Sequence, residues 1–367
     1  MELPTRSMRA RWALVLLSLT VCLVPAFPAS ATPPGTNGRI AFMRHDDHDH
    51  WQIWTANPDM TDVRQITDGD YDNAFPAWSP DGTKLAFAST RSDIEGSGAI
   101  NDIFVMNADG SGVIQISDSI GWSSEPTWSP DGTLIAFHSD AGNWPTSVGL
   151  FVVHPDGTGQ RRLTTLSPDL IDQGSTRFSP DGRKLLFVQA TGTFVQGGAA
   201  LKGINLALFT INIDGTGIRR LTPWGMHAAE GDWSPDGTRI VIGTFIDYLG
   251  HTNRLMIMNA DGSNLRPLTR DHGTTGIGKF EALRVEQSYN PTWSPDGTTI
   301  MFSHLELTPG GQFVAGLQSI SSDASGQHWI SQDNEHQADW GTAPLHCCGH
   351  PWELPACREI SVATGTP

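Results

Sequence analysis

Positive charge is scarce in this sequence. Lys and Arg number 23 against 39 Asp and Glu, which gives a formal net charge of −16 at pH 7. Nucleic-acid binding needs clusters of Lys and Arg to neutralise phosphates, so the acidic balance excludes nucleic acid as an expected partner. It is compatible with cationic ligands, with metal ions or with a merely solvated surface.

Motifs that carry catalytic chemistry are also missing. The sequence contains no G-x-S-x-G nucleophile turn, no H-E-x-x-H zinc motif and no phosphate-binding or dinucleotide-binding glycine loop in a strand–helix context. Helical periodicity is nearly absent beyond the first 31 residues. These absences exclude an α/β-hydrolase domain and favour an all-β protein.

Long apolar runs are missing except near the beginning of the chain. Arg6, Arg9 and Arg11 precede the apolar run Trp12–Leu23, and Ala29-Ser30-Ala31 follows it. The run is short for a membrane span of about 20 residues. The pattern predicts a signal peptide over residues 1–31, cleaved after Ala31. We therefore expect a secreted protein, extracellular, periplasmic or associated with the cell envelope, with no integral membrane segment after cleavage.

Cysteine is rare, and three of the four cysteines lie in a C-terminal tail, residues 344–367. Because export favours oxidised thiols, we expect a disulfide that joins Cys357 to Cys347 or Cys348. The alternative is a metal site that adds His346 and His350, although the spacing matches no familiar zinc pattern.

What the sequence does contain is a repeat. Five segments are nearly identical, and the anchors Trp78, Trp128, Phe178, Trp233 and Trp293 are followed each time by Ser-Pro-Asp-Gly. A degenerate sixth copy has its anchor at Trp340, and consecutive anchors are 47 to 60 residues apart. A unit of this length is too short for a domain and fits one four-stranded propeller blade.

Each unit predicts two hairpins. Ser-Pro-Asp-Gly is a tight turn between strands A and B, in which the proline presets one φ and the glycine supplies a positive φ. A second turn of the Asx-x-Asp-Gly type joins strands C and D. The segment Gly35–Phe42 resembles a strand B without its strand A, and Ala338–Pro344 resembles a strand A without its strand B. We therefore predict a six-bladed β-propeller of four-stranded antiparallel blades over residues 32–343, closed by pairing of its N- and C-terminal strands.

These residues resemble the TolB-type propeller, a WD40-like family built on this Trp/Phe-Ser-Pro-Asp-Gly hairpin. The resemblance covers residues 32–343. It implies the propeller fold, and for the family's best-known member it implies a role as a protein partner in an envelope complex.

The functional face is predicted from loop variability. The A–B and C–D turns are short and share one face, whereas the B–C and D–A connections vary and share the other. Examples are the expected B–C loops Gln189–Asn205 and His304–Gln312. Function tends to reside on variable loops held by a rigid scaffold. Residues just before strand A should ring the channel mouth on this face and bind a cation, a sugar or a peptide amine; the candidates are Asn73, Glu125, Ser175, Glu230, Asn290 and His336, with Asp232 and Asp339 one step further in. The alternative is that these side chains only satisfy strand ends and buried water.

A run of histidines and aspartates occupies one of these loops. His45, Asp47, His48 and His50 supply imidazoles and carboxylates, which are ligands for zinc and, through oxygen, for calcium. The alternative is a solvated loop, because six consecutive side chains cannot all converge on one ion.

Three functions remain open from the sequence. The leading hypothesis is an exported, monomeric and non-enzymatic scaffold that binds protein, peptide or glycan and needs no cofactor. The second is a glycoside hydrolase or polysaccharide lyase, for which the catalytic candidates are Glu125, Glu230, Asp232 and His336. The third is a scaffold stabilised by calcium or zinc.

Overall fold

The structure is a computed structural model, and it describes residues 35–92, 101–117, 121–140, 148–164, 172–194, 201–244, 254–269, 286–308 and 312–343. The predicted signal peptide and the tail with Cys347, Cys348 and Cys357 lie outside these ranges. Within them, no helix is long and apolar enough to cross a membrane.

The described residues contain twenty-four strands and one 3-10 turn, joined by turns and loops. The first twelve strands, in chain order, are β1 (Asn37–His45), β2 (Trp51–Ala56), β3 (Arg64–Gln65), β4 (Asn73–Trp78), β5 (Lys84–Ser89), β6 (Asp102–Asn107), β7 (Ile114–Gln115), β8 (Ser123–Trp128), β9 (Ile135–Ser139), β10 (Gly149–Val153), β11 (Arg161–Arg162) and β12 (Asp172–Phe178). The remaining strands are β13 (Lys184–Phe194), β14 (Leu201–Asn212), β15 (Arg219–Arg220), β16 (Ala228–Trp233), β17 (Arg239–Thr244), β18 (Leu255–Asn259), β19 (Arg266–Pro267), β20 (Glu286–Trp293), β21 (Thr299–Leu307), β22 (Phe313–Ser321), β23 (His328–Trp329) and β24 (His336–Thr342), and the 3-10 turn is Trp224–Met226.

The strands form six antiparallel sheets, each of four strands, and these are the blades. Blades 1 to 5 are β4–β7, β8–β11, β12–β15, β16–β19 and β20–β23, in simple up-and-down order. Blade 6 has the order β24-β1-β2-β3, so the last strand of the chain pairs with the first. The predicted six-bladed propeller and its closure by N- and C-terminal strands are confirmed.

The hydrophobic core is divided among the six junctions between blades. One apolar cluster lies at each junction, and the strand-A anchor of each blade packs in the cluster shared with the preceding blade. Trp128, for example, packs against Ala86 and Val105 of blade 1 and is only 5% exposed. Burial of an aromatic side chain stabilises a fold by several kcal/mol, on the order of 3. Adjacent blades therefore stabilise each other, and no blade buries its anchor alone.

The Ser-Pro-Asp-Gly segment forms the tight A–B turn that the sequence predicts. In blade 2, Asp131 Oδ1 accepts hydrogen bonds from Ser129 Oγ at 2.6 Å, from Thr133 N at 3.0 Å and from Thr133 Oγ1 at 2.9 Å. Gly132 has a φ of +71°, the left-handed region that favours glycine. The repeated motif is thus a local scaffold, and its carboxylate is used inside the turn.

Two B–C connections differ from the expected loops. β13 continues to Phe194 and β14 begins at Leu201, so most of the predicted loop Gln189–Asn205 is a hairpin extension. In blade 5, β21 and β22 likewise shorten the predicted loop His304–Gln312. Backbone pairing that continues from the blade replaces the loop in both places, as in the pairs Thr191↔Asn205 and Glu306↔Val314. The variable face therefore carries two raised hairpins, on blades 3 and 5.

Candidate functional site

A narrow cavity marks the mouth of the central channel. It has a volume of about 40 Å³, which is room for a few water molecules or one small ion. Two residues from each blade line it, and one of each two stands three positions before the strand-A anchor; these six are Phe75, Glu125, Ser175, Glu230, Asn290 and Gln337.

Backbone geometry explains why these six residues face the channel. A register irregularity interrupts the pairing of strands A and B at this level in the blades, for example between Ser124 and Thr127. Five of the six residues have a positive φ, between 49° and 56°, and Glu230 is the exception. A bulge of this kind bends the strand and re-aims a side chain. The mouth is therefore built from locally strained, non-glycine residues.

Two predicted mouth residues lie elsewhere. Asn73 is fully buried, where it donates to Gln52 Oε1 at 2.7 Å and accepts from Arg91 Nη2 at 2.7 Å. His336 lies one residue before Gln337 and bonds through Nδ1 to the Tyr289 hydroxyl at 2.9 Å. They stand five and four positions before their anchors instead of three. Phe75 and Gln337 take the mouth positions of those blades.

Glu125 is the mouth carboxylate of blade 2, and it joins that blade to blade 3. Its Oε2 accepts a short hydrogen bond from the Ser175 backbone N–H and lies 3.5 Å from His138 Nδ1. Burial works to raise the pKa of Glu125, but the bond and charge of His138, the Ser175 N–H and the charge of Arg177 lower it below its ordinary value. Glu125 is therefore an ionised carboxylate at neutral pH.

Glu230 occupies the same position in blade 4 and has the opposite electrostatics. Its Oε2 accepts the backbone N–H of Asn290 in blade 5. Burial raises the pKa of Glu230 to about 7, the negative charge of Glu125 adds to the rise, and the Asn290 N–H and Arg177 oppose it. Two carboxyls of one cavity thus differ in protonation near neutral pH.

A second level of carboxylates lies two residues further along strand A. Asp232 Oδ2 accepts from Trp293 N at 2.8 Å, and Asp339 Oδ2 accepts from Trp78 N at 2.8 Å. Burial raises the pKa of Asp232 to about 6, Arg177 and the Trp293 N–H oppose the rise, and the charge of Asp339 adds to it. Burial raises the pKa of Asp339 in the same way.

Arg177, which the sequence reasoning did not single out, is the basic residue of this site. Of the described residues that line the cavity, it alone carries a positive charge, and it lowers the pKa of all four carboxyls. Its position, one residue before the anchor Phe178, corresponds to that of Asp232 and Asp339. The only sequence signal for it is this spacing.

The arrangement limits the chemistry at the mouth. Each of the four carboxylates bonds to the backbone of the next blade, and the cavity is far smaller than the several hundred Å³ of a pocket for an organic ligand. Gln337 Oε1 is buried and accepts no hydrogen bond from the described residues, so an acceptor is available there. Water or a small cation fits inside, whereas a sugar ring or peptide must bind at the rim.

The histidine–aspartate loop of blade 6 is organised by its own side chains. Asp46 Oδ1 accepts from His48 N at 2.9 Å and from His50 N at 3.0 Å, and His45 Nδ1 lies 3.1 Å from Asp49 Oδ1. The side chains of Asp47 and His48 are exposed. Across the described ranges, no three His, Cys, Asp or Glu side chains are placed to hold one metal ion.

The ring of six four-stranded blades around a polar channel defines the chain as a six-bladed β-propeller. The family model for the TolB beta propeller domain matches residues 15–275, and the chain belongs to that family. The family resemblance predicted from the repeats is therefore confirmed. No curated protein matches the sequence.

Solved structures with the same architecture are distant in sequence. TolB from Acinetobacter baumannii is 19% identical with a TM-score of 0.60, over 83% of this chain and 67% of that one. Kuenenia stuttgartiensis hydrazine synthase is 15% identical with a TM-score of 0.60, over 84% and 47%. An oligogalacturonate lyase in complex with manganese is 15% identical with a TM-score of 0.50, over 78% and 75%. At these identities the similarity establishes the fold alone.

Proposed function

We propose that this chain is an exported scaffold that binds protein, peptide or glycan partners with the face around the channel mouth, at the cell envelope or outside the cell. One observation carries the proposal: the channel carboxylates are bonded to neighbouring blades around a cavity of about 40 Å³. The site is built for rigidity, and this favours recognition at the rim over chemistry inside the channel. Membership of a family whose fold suits protein binding supports the same conclusion.

Exposed apolar side chains on this face support a docking role. Trp122, just before β8, is 42% exposed, and Phe313, at the first position of β22, is 63% exposed. Both lie at the ends of strands that point to the variable face. Large aromatic side chains are enriched at the centres of protein interfaces. These two side chains therefore provide anchors for a partner, whereas the small cavity provides none.

The test uses ligands selected on the protein itself. A displayed random peptide library and a glycan array are screened on the immobilised protein, and the best binders are measured again on Trp122→Ala and Phe313→Ala. We expect affinity to fall about tenfold or more, the loss typical of an aromatic anchor. Ile218→Ala is the matched control, because Ile218 is 50% exposed and lies beside a C–D turn on the opposite face. An equal loss with the control, or no loss with either aromatic variant, contradicts the proposal.

Export is tested separately. The full chain is expressed beside one that lacks residues 1–31, and the culture fractions are compared by immunoblot. We expect the full chain outside the cytoplasm, shortened by about 3 kDa, and the truncated chain inside. Retention of the full chain in the cytoplasm at its full mass contradicts this part of the proposal.

A carbohydrate-active enzyme is the second candidate, and one observation favours it. Glu125 has a lowered pKa and Glu230 a raised one within a single cavity, which is the pattern of a base paired with an acid. Polysaccharides, including polygalacturonate, are incubated with the protein, and new reducing ends and unsaturated products are measured. Turnover that Glu230→Gln abolishes would replace the scaffold proposal, whereas the scaffold predicts none.

A further inference from the structure

Among the described residues, the carboxyl groups around the channel outnumber the positive charges four to one. Four carboxyl groups come from blades 2, 4 and 6, namely those of Glu125, Glu230, Asp232 and Asp339, and the guanidinium comes from Arg177 of blade 3. Three of the four carboxyls have a raised pKa in spite of that guanidinium, with burial as the main cause. In a site with little water, each further ionisation is opposed by the charges already present.

Two of these carboxyls belong to the same junction. Glu230 accepts the backbone N–H of Asn290, and Asp232 accepts that of Trp293, so both join β16 of blade 4 to β20 of blade 5. At the other junctions Glu125 alone bonds to blade 3 and Asp339 alone bonds to blade 1. The junction of blades 4 and 5 is thus the one, among the described residues, that two raised-pKa carboxyls share.

Charged and titratable groups on several neighbouring strands surround the carboxyls of Glu230 and Asp232. Glu125 on β8 repels Glu230, Asp339 on β24 repels Asp232, and Arg177 on β12 attracts both. His138 on β9 lies behind Glu125, and Tyr289 on β20 bonds to His336 on β24. The charge of Glu230, after burial, helps to raise the pKa of Tyr289 to about 12, so this hydroxyl stays neutral over the pH range considered.

We propose that Glu230 and Asp232 form a proton-operated latch, in which proton uptake between neutral and mildly acidic pH tightens the junction of blades 4 and 5 and stabilises the ring. A protonated carboxyl still accepts the backbone N–H through its carbonyl oxygen, so the bonds to blade 5 persist. Protonation removes the repulsion from Glu125 and Asp339 and the cost of burying a charge, and these outweigh the attraction to Arg177 and the charge-assisted part of the backbone hydrogen bonds that are lost with them.

The sign of the effect follows from proton linkage. Glu230 titrates near 7 in the folded protein and near 4.5 in an unfolded chain, so the folded state holds the proton more strongly. The stabilisation is complete below about pH 4.5 and is lost as the pH rises through about 7. The folding equilibrium constant should therefore increase on the order of a hundredfold from about pH 8 to about pH 5 through Glu230 alone.

The experiment compares two isosteric variants at equivalent positions. Unfolding by urea is measured between about pH 5 and pH 8 for the wild type, Glu230→Gln and Glu125→Gln. Groups remote from the channel titrate equally in all three proteins, so the difference between wild type and variant isolates the replaced carboxyl together with the groups coupled to it. We expect the Glu230→Gln difference to change with pH by on the order of a hundredfold in equilibrium constant. The Glu125→Gln difference should change much less with pH, because the pKa of Glu125 is already below this range and its removal only lessens the rise in the pKa of Glu230.

A difference for Glu230→Gln that is independent of pH overturns the latch. Asp232→Asn repeats the test at the second carboxyl, with a midpoint near pH 6. A measurement on the unaltered protein covers the case in which a variant fails to fold: carboxyl-¹³C glutamate resonances are followed by NMR. One glutamate resonance should titrate with a midpoint near pH 7, and if every glutamate titrates below about pH 5, the proposal is wrong.

Discussion

The aspartate of the repeated turn shows how a single residue can recur for structural reasons. In blades 1 to 5, its Oδ1 accepts the hydroxyl of the preceding serine and a backbone N–H two residues further on. The serine oxygen in turn accepts the next backbone N–H, as Ser129 Oγ does from Leu134 N at 2.8 Å. The serine hydroxyl and one carboxylate oxygen of the motif are thus both used within the turn, which accounts for the recurrence of these two residues without a ligand.

Replacing Asp131 by Ala should destabilise the protein by about 1–2 kcal/mol, because the turn loses three hydrogen bonds even though the Asp131 side chain is itself exposed. Urea unfolding followed by tryptophan fluorescence measures the change. Asp47→Ala is the control, since the Asp47 carboxylate is exposed and should change stability by no more than about 0.5 kcal/mol. Equal losses for the two variants would contradict a structural role for Asp131.

The mouth residues show what sequence reasoning could not give at this scale. Glu125, Glu230 and Asn290 were predicted because they are polar and precede an anchor. The sequence does not show that Phe75 and Gln337, and not Asn73 and His336, line the mouth, because side-chain direction there depends on a bulge with a left-handed residue. The mouth position does not require a particular residue type, so the identity of a residue does not show that it lines the mouth. The constant distance of three residues from the anchor is the signal that would have found them.

At the scale of the element, strand D is held by a hydroxyl that repeats as faithfully as the turn. Strand D is only two residues long, and a Ser or Thr that follows it accepts the N–H of a residue in strand C. Leu208 N donates to Thr222 Oγ1 at 2.9 Å, Leu150 N to Thr164 Oγ1 at 2.9 Å and Ile53 N to Thr67 Oγ1 at 2.8 Å. The side chain thus replaces a backbone partner where the sheet ends, and it leaves no buried N–H unpaired.

Thr222→Val tests whether the threonine hydroxyl takes the place of a backbone hydrogen-bond acceptor. Valine has nearly the same shape but no acceptor, so the buried Leu208 N–H is left unpaired and we expect a loss of about 1–3 kcal/mol. Thr222→Ser is the matched control, because it keeps the hydroxyl and because blade 1 has Ser117 in the same role. The idea fails if the serine variant is as unstable as the valine variant in the same urea titration.

Strand order was predictable from the sequence, whereas strand length was not. Ser-Pro-Asp-Gly and Asx-x-Asp-Gly require particular φ values, so they fix where the A–B and C–D turns lie. The B–C connections have no such requirement. The segments around Thr191 and Asn205 continue as a hairpin because each strand finds its partner in the other. Pairing between segments is a property of two strands together, and neither segment displays it alone.

At the scale of the whole molecule, closure depends on one strand at the C-terminal end of the described chain. β24 supplies strand A of blade 6 and pairs with β1, and Trp340 packs at the junction of blades 5 and 6. Arg44 on β1 is paired with Glu335, which is fully buried just before β24. Asp339 also bonds to Trp78 of blade 1. The strand therefore joins three blades.

Deletion of residues 338–343 should destabilise the whole propeller, because β1 loses its partner and two junctions lose their packing. We expect the Tm to fall by at least about 10 °C, or the cooperative transition to disappear, in scanning calorimetry. A chain that ends at Ala343 is the control, because it retains all of β24. A deleted protein that melts like this control would show that the ring does not depend on the closing strand.

The pairing of β1 with β24 also constrains the order of events when the molecule is made. Ile40 pairs with Trp340, 300 positions later in the chain. A growing chain can complete blades 1 to 5 in turn, but β1 must wait with one unpaired edge until the final strand has been synthesised. Contacts so distant in sequence form slowly, and an unpaired edge can associate with other chains in the meantime. The circular architecture therefore makes β24, the last strand of the ring in chain order, the one that ends this vulnerable period.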